Sequence, residues 1–386
     1  MKTLGPLVPA DESLNHQITD TFATVGQTDR AWTEKICAQA CARDGSLQAA
    51  FGLGKYTNRG VMDAYGGVSR GAEMWVVRAS RELAPDPSTP SIGPLHYDVL
   101  EPFRRVRFAL DPNDAQPIAF EWIFEAVVPP FLENAEQHRS ADGYRLDADI
   151  VRYHQSGVAS GWVEVDGVRT DFDQASWVST RDHSWGVRYG VGAPLADVKG
   201  QSRRSHAQVT VNWAPIVCER PDGSRYALHW YYQRSVVGDW HSTELQGGVE
   251  HSDGRKEIFV AVDPTFEVDP VTRRLRRATL DFTMAGGSTR SISVRALGET
   301  GFPLGAGLYF GLDGHYHGQY RGPLTVDGEH VADCTTPEES RRLHQLRDNV
   351  VRVEDPVGGG VGVGNLQSMF MGPHPDLGLD AESSFT

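Results

Sequence analysis

Apolar residues along this chain recur mostly at alternate positions, the period of a strand, and rarely at helical spacing. Trp32, Glu34, Ile36 and Ala38 alternate with their neighbours, and Asp44-Gly45 then supplies a hairpin turn into Leu47-Gln48-Ala49-Ala50-Phe51. Alternating or apolar runs return at 74–77, 118–124, 161–165, 209–213, 229–232, 258–262 and 291–294. The 41 glycines and 22 prolines recur at short intervals and cut the chain into short segments. One helix is expected late: Thr336-Pro337-Glu338-Glu339 reads as N-cap, first-turn proline and capping-box glutamate. Leu343, Leu346 and Val350 continue one apolar face of it, and a shorter helical turn is expected after Pro130. The balance is a mainly β fold, antiparallel, in barrels or sandwiches with few short helices.

A chain of 386 residues exceeds what one hydrophobic core usually serves. Tyr153-His154 followed by 161–167 is echoed by Tyr316-His317 followed by 322–328. Each copy reads as a strand, a turn and a strand ending in Val-Asp-Gly, which points to two related halves. The division, 1–195 and 196–386, is drawn where Gly, Pro and polar residues cluster at 193–202. There is no run of about 18 apolar residues, so no membrane span is expected. The N-terminus lacks the apolar stretch of a secretory signal. Cys37, Cys41, Cys218 and Cys334 form no zinc pattern and read as free thiols of a cytoplasmic protein. A net charge of -14 argues against nucleic acid as a partner. The one basic cluster, Arg273-Arg274-Leu275-Arg276-Arg277, reads as a solvated turn.

Candidate chemistry concentrates in Arg181-Asp182-His183-Ser184-Trp185-Gly186. An indole wants burial and buried charges need partners, so this mixture is either a chemical site or a buried polar pin between two halves. On a strand, Asp182 and Ser184 share one face while Arg181, His183 and Trp185 share the other. Two arrangements follow. In one, Asp182 faces a cavity as general acid, tuned by Tyr153 or His154 from a neighbouring strand. In the other, His183 is the acid-base group and Trp185 shields a cation. Gln155 and Arg188 are supporting polar partners of either arrangement. Trp122, Trp213, Trp230, Tyr231, Tyr232 and Trp240 either pack barrel interiors or line an apolar cavity.

The run Asp182-His183-Ser184-Trp185-Gly186 resembles the Asp-His-Asn/Ser-Trp-Gly signature of the carotenoid 1,2-hydratase (hydroxyneurosporene synthase) superfamily. Tyr153-His154-Gln155-Ser156-Gly157 and 161–167 are similar to the strands that precede it there. Trp75-Val76-Val77-Arg78 and Gly93-Pro94-Leu95 are similar to uncharacterised bacterial relatives of that superfamily. The resemblance implies a pair of lipocalin-like β-barrels packed side by side. It also implies cofactor-free chemistry on hydrophobic, often terpenoid, substrates, with Asp182 protonating a carbon-carbon double bond. Where those enzymes carry Tyr two residues before that Asp, this chain has Thr180.

The functional expectation is a hydratase, dehydratase, isomerase or cyclase acting on a terpenoid, steroid or polyketide. Asp182, His183 and His154 are the catalytic candidates; Trp185, Tyr153, Gln155, Arg188 and Trp122 are the substrate-binding ones. The same cavity without proton transfer would make a carrier of lipophilic metabolites. Gly67-Val68-Ser69-Arg70-Gly71 has nucleophile-elbow spacing, but strand rather than helix follows it. His315-Tyr316-His317 places two imidazoles on one strand face without a clear third ligand, so no metal is expected. The glycine tract 358–364 lacks dinucleotide-loop spacing and reads as a turning loop.

Overall fold

The computed structural model describes residues 6–16, 28–139, 145–198 and 207–384. Its first sheet contains β1 (Trp32–Ala42), β2 (Gln48–Tyr56), β3 (Val61–Arg70), β4 (Glu73–Glu82), β5 (Ser91–Ile92) and β6 (Leu95–Glu101). It continues with β7 (Arg105–Leu110), β8 (Ile118–Ala126), β9 (Phe131–Leu132), β10 (Glu136–Arg139), β11 (Leu146–Val165), β12 (Val168–Phe172) and β13 (Trp177–Val187). The second sheet starts with β14 (Gln208–Glu219), β15 (Arg225–Val237), β16 (Trp240–Glu250), β17 (Lys256–Val268), β18 (Leu275–Met284), β19 (Thr289–Ala296) and β20 (Phe302–Pro303). After β21 (Leu324–Val331) it ends with β22 (Arg347–Asp355) and β23 (Gly360–Met371). These form two antiparallel barrels side by side, the first nearly closed and the second closed. Pairing of β19 with β22 closes the second, and β21 crosses back to extend the first sheet beside β4.

Alternation explains the first barrel. Ile36, Ala38 and Ala40 of β1 join Phe51 and Leu53 of β2 and Phe108, Phe120 and Trp122 in one interior core. The opposite face of β1, with Lys35 and Gln39, is also buried, because the second half of the chain packs on it. A strand covered on both sides can carry polar residues on one of them only if they are bonded. The second barrel has its own core of Ile216, Leu228, Trp230, Leu280 and Phe282. Between the barrels lies an apolar cluster that includes Tyr65, Met74, Phe302, Leu304 and Met369. A polar belt accompanies it, in which Gln39 and Gln48 of the first sheet reach Asp348 of the second.

Several local expectations are corrected. The late helix is capped as read, Thr336 Oγ1 accepting the Glu339 N–H at 3.3 Å, but it spans only Pro337–Arg342. His344 then turns the chain at φ 59, and 347–355 pairs with strands on both sides, so Leu346 and Val350 extend no helical face. The segment after Pro130 forms β9, which gains ladder bonds to β11. In the echo, Asp166-Gly167 is a left-handed turn whereas Asp327-Gly328 lies mid-strand in β21. His315 and His317 occupy a loop, not a strand face. Most of the glycine tract, from Gly360 onward, is strand β23. Arg273 is buried and donates to the Phe370 and Gly372 carbonyls at 2.8 and 2.6 Å, which takes it out of any solvated turn. All four cysteines are free thiols.

Candidate active site

Strand β13 carries the motif between β1 and β11, and its pleat sends the side chains to two different places. Gly186 ends the run because β11 crosses closely there: at φ +137, a Cβ would lie 2.0 Å from the Asp149 carbonyl oxygen. Only a residue without a side chain fits.

Arg181 and His183 face the first barrel's interior. Arg181 is fully buried and donates to both oxygens of Glu12, at 2.9 Å from Nη1 and 2.5 Å from Nη2, and through Nε to Gln155 Oε1 at 3.1 Å. Burial alone would raise the Glu12 carboxyl; the Arg181 guanidinium overrides it and holds it low. Tyr153, opposite His183 in the register, donates its hydroxyl to Glu12 at 3.0 Å and lies 3.2 Å from His183 Nδ1. His183 Nε2 meets Glu34 Oε1 at 3.1 Å, and burial pulls its pKa down against that carboxylate. Trp185 stacks on His16, ring centroids 3.5 Å apart.

Asp182 and Ser184 face outward, into the seam between the barrels. Asp182 keeps 14% of its side chain exposed, and Arg152 Nε sits 3.5 Å from its Oδ2. Burial pushes its carboxyl up to about 6, with Arg152 the main opposing influence. Arg181, the sequence neighbour that would have kept Asp182 ionised, is turned away by the pleat. Cys37 is the cross-strand partner of Asp182, and its thiol is 2.9 Å from the Tyr309 hydroxyl. Lys35, fully buried, holds His317 Nε2 at 2.8 Å and lies over the Tyr309 ring; burial pulls its amine down to about 8. Arg188 donates to Ser184 Oγ at 2.8 Å. The neighbours of Asp182 line two narrow crevices that Asp182 itself does not line, Arg152 one with Glu133 and Tyr231, and Lys35 the other with Asp63 and His317.

His154 pairs with Asp182 across the strands and shares the seam face. Its Nδ1 is 2.8 Å from Glu133 Oε1 and its Nε2 3.0 Å from Glu250 Oε1, while Trp213 Nε1 donates to Glu133 at 2.8 Å. His229 stacks on it at 3.7 Å.

The candidates therefore separate into two groups. Asp182 and His154 lie on the seam, as does Ser184, to which Arg188 is bonded. His183, Tyr153 and Gln155 lie inside the first barrel, with Trp185 on the same pleat. Tyr153 cannot tune Asp182, because it stands on the opposite face of the sheet. Trp122 sits apart, wholly buried among Phe108 and Phe120. Sequence reasoning missed Glu12, Glu34, Glu133, Arg152, Glu250 and Tyr309. The glutamates and Tyr309 reach the site through pairing or packing over long separations that no local spacing marks, whereas strand alternation places Arg152 on the face of His154 two residues on.

A family model, described as a family of unknown function, DUF8625, matches residues 7–380. The chain belongs to this family. Among curated proteins none matches the sequence. Of solved structures, a protein assigned as AttH from Nitrosomonas europaea is similar, with TM-score 0.51 and 11% identity over 88% of this chain and 92% of that one. Kievitone hydratase from Nectria haematococca follows at TM-score 0.43 and 9% identity, covering 87% of this chain and 88% of that one. CghA stands at 0.49 and 12%, covering 96% and 95%. At 11% identity the likeness to the first concerns the fold alone. Among the described residues, no helix is long and apolar enough to cross a membrane.

Proposed function

We propose that this protein is an acid/base enzyme of the hydratase, dehydratase, isomerase or cyclase type, with Asp182 as proton donor to an apolar small molecule. The observation that carries the reading is where the Asp182 carboxyl stands. It is largely enclosed between two barrels, away from Arg181, with one guanidinium nitrogen at 3.5 Å. Protonating an alkene demands an acid kept from bulk water, so that the cation is not quenched before it reacts. Resemblance of the Asp182-His183-Ser184-Trp185-Gly186 run to the carotenoid 1,2-hydratase signature supports the same assignment. It also supports a terpenoid, steroid or polyketide as the substrate class. Arg152 would hold the carboxylate left after proton transfer, with Cys37 opposite Asp182 on β1 and Tyr309 beside its thiol.

The test is incubation in deuterium oxide with a panel of terpenoid, steroid and polyketide alkenes and alcohols, followed by mass spectrometry. Wild type should gain label or water mass, and Asp182→Asn should bind the same compound with turnover lowered about a hundredfold or more. Equal uptake by both proteins would refute Asp182 as the acid. Tight binding without label in either would make the protein a carrier.

A further inference from the structure

The interior face of β13 holds a second convergence that the Asp182 reading does not use. Glu34 from β1, His183 from β13 and His16 from the N-terminal segment point at one another. Glu34 Oε1 lies 2.5 Å from His16 Nδ1 and 3.1 Å from His183 Nε2, and the three atoms all lie within 4.8 Å. The two imidazole planes stand at 86° with centroids 5.4 Å apart, so their in-plane lone pairs can meet at a single ion.

The far side of every group is already fixed. His16 Nε2 is 3.0 Å from Asp11 Oδ1, His183 Nδ1 is 3.2 Å from the Tyr153 hydroxyl, and Glu34 Oε2 accepts the His16 backbone N–H at 3.1 Å. A carboxylate or hydroxyl on the second nitrogen is the usual outer partner of a metal-bound histidine, because it sets the tautomer and the ring orientation.

Hydrogen-bond direction adds to this. Glu12 already accepts from Arg181 and from the Phe103 N–H, so it is an acceptor only and takes the Tyr153 proton as well. His183 Nδ1 then donates to the Tyr153 oxygen, which leaves the neutral ring's Nε2 lone pair facing the Glu34 oxygen. A proton or a metal ion on this line joins the two groups, 3.1 Å apart.

We propose that His16 Nδ1, Glu34 Oε1 and His183 Nε2 bind one divalent ion of the zinc class, tying the N-terminal segment to β1 and β13. Two histidines and one carboxylate suit zinc, cobalt(II) or nickel(II), and leave a fourth position for water. Donor atoms around such an ion stand roughly 3.3 Å apart, so small rotations of the His16 and Glu34 side chains complete the site.

Glu133, His154 and His229 also bring three donor atoms together. There the two rings are stacked at 27°, so their lone pairs run side by side and cannot both point at one ion. That group is a hydrogen-bonded ion network instead.

The ion goes beyond the acid/base reading and stands apart from it: Asp182 faces the other side of the sheet, and Asp182→Asn should bind metal as wild type does. The experiment is titration of chelator-treated, full-length protein with cobalt(II) and zinc, read by calorimetry, elemental mass spectrometry and visible absorption. Wild type should take up one equivalent, show the d–d bands of four-coordinate cobalt, and lose Trp185 fluorescence as cobalt fills the site beneath its stacked His16. His16→Gln, on a peripheral segment where folding is least at risk, should weaken binding at least about a hundredfold, and Glu34→Gln should do the same. No stoichiometric uptake by wild type would overturn the proposal. So would unchanged affinity in His16→Gln, or loss of binding in His229→Gln alone.

Discussion

The imidazole of His154 should make the protein's stability depend on pH in the alkaline range. It is wholly buried and clamped between two carboxylates from different parts of the chain, Glu133 at 2.8 Å and Glu250 at 3.0 Å. Burial alone would pull its pKa down, but the two carboxylates overturn that and push it up from 6.5 to about 9. The other groups packed around it keep the balance. His229 is pulled down by burial and by the His154 charge, and Arg152 lies 3.4 Å from Glu133. The sign is then fixed. A histidine whose folded pKa lies above its unfolded value stabilises the fold fully below about 6.5, and that contribution is lost as pH rises through about 9. A gap of about 2.5 pH units at about 1.4 kcal/mol each is worth about 3.5 kcal/mol in full, of which about 3 kcal/mol falls between pH 6 and 10. Urea unfolding followed by fluorescence from pH 6 to 10 measures it. Wild type should lose about 3 kcal/mol more than His154→Gln across that interval. Parallel curves for the two proteins would refute the claim that the clamp holds a proton.

Two further substitutions probe the same sheet. Glu12→Gln leaves the buried Arg181 guanidinium without its counter-charge and should lower stability by about 3–5 kcal/mol in thermal or denaturant melts; a change under about 1 kcal/mol would mean that Gln155 alone satisfies Arg181. Gly186→Ala forces a Cβ against the Asp149 carbonyl in a backbone conformation that side chains avoid. It should cost at least about 2 kcal/mol. Amide exchange along β11 and β13 should quicken around the substitution, and an unaltered melting temperature would show that the strands can part without penalty.

The sequence by itself determined the class of fold. Alternating apolar residues, frequent glycine and proline, and turns such as Asp44-Gly45 specify strands through local geometry and leave barrels and sandwiches both open; the choice of barrels came from the family resemblance. It also set the pleat of the motif: adjacent side chains on a strand must point opposite ways, so Asp182 and His183 were bound to face different surroundings. Which surroundings those are was decided only in three dimensions. Arg181 looked like the cation that would hold Asp182 ionised, yet the cation at 3.5 Å is Arg152 from β11, and Arg181 pairs with Glu12, 169 residues away in sequence. His154 gains its charge from Glu133 and Glu250, brought together by β16 packing against the seam. Helical signals at 336–350 were overruled beyond Arg342 because strand pairing on two sides satisfied more backbone groups than one further helical turn. Local periodicity is a property of consecutive residues and survives in the sequence. Burial, ion pairing and proton affinity depend on neighbours far along the chain, which strand pairing within the first barrel and the packing of one barrel against the other supply.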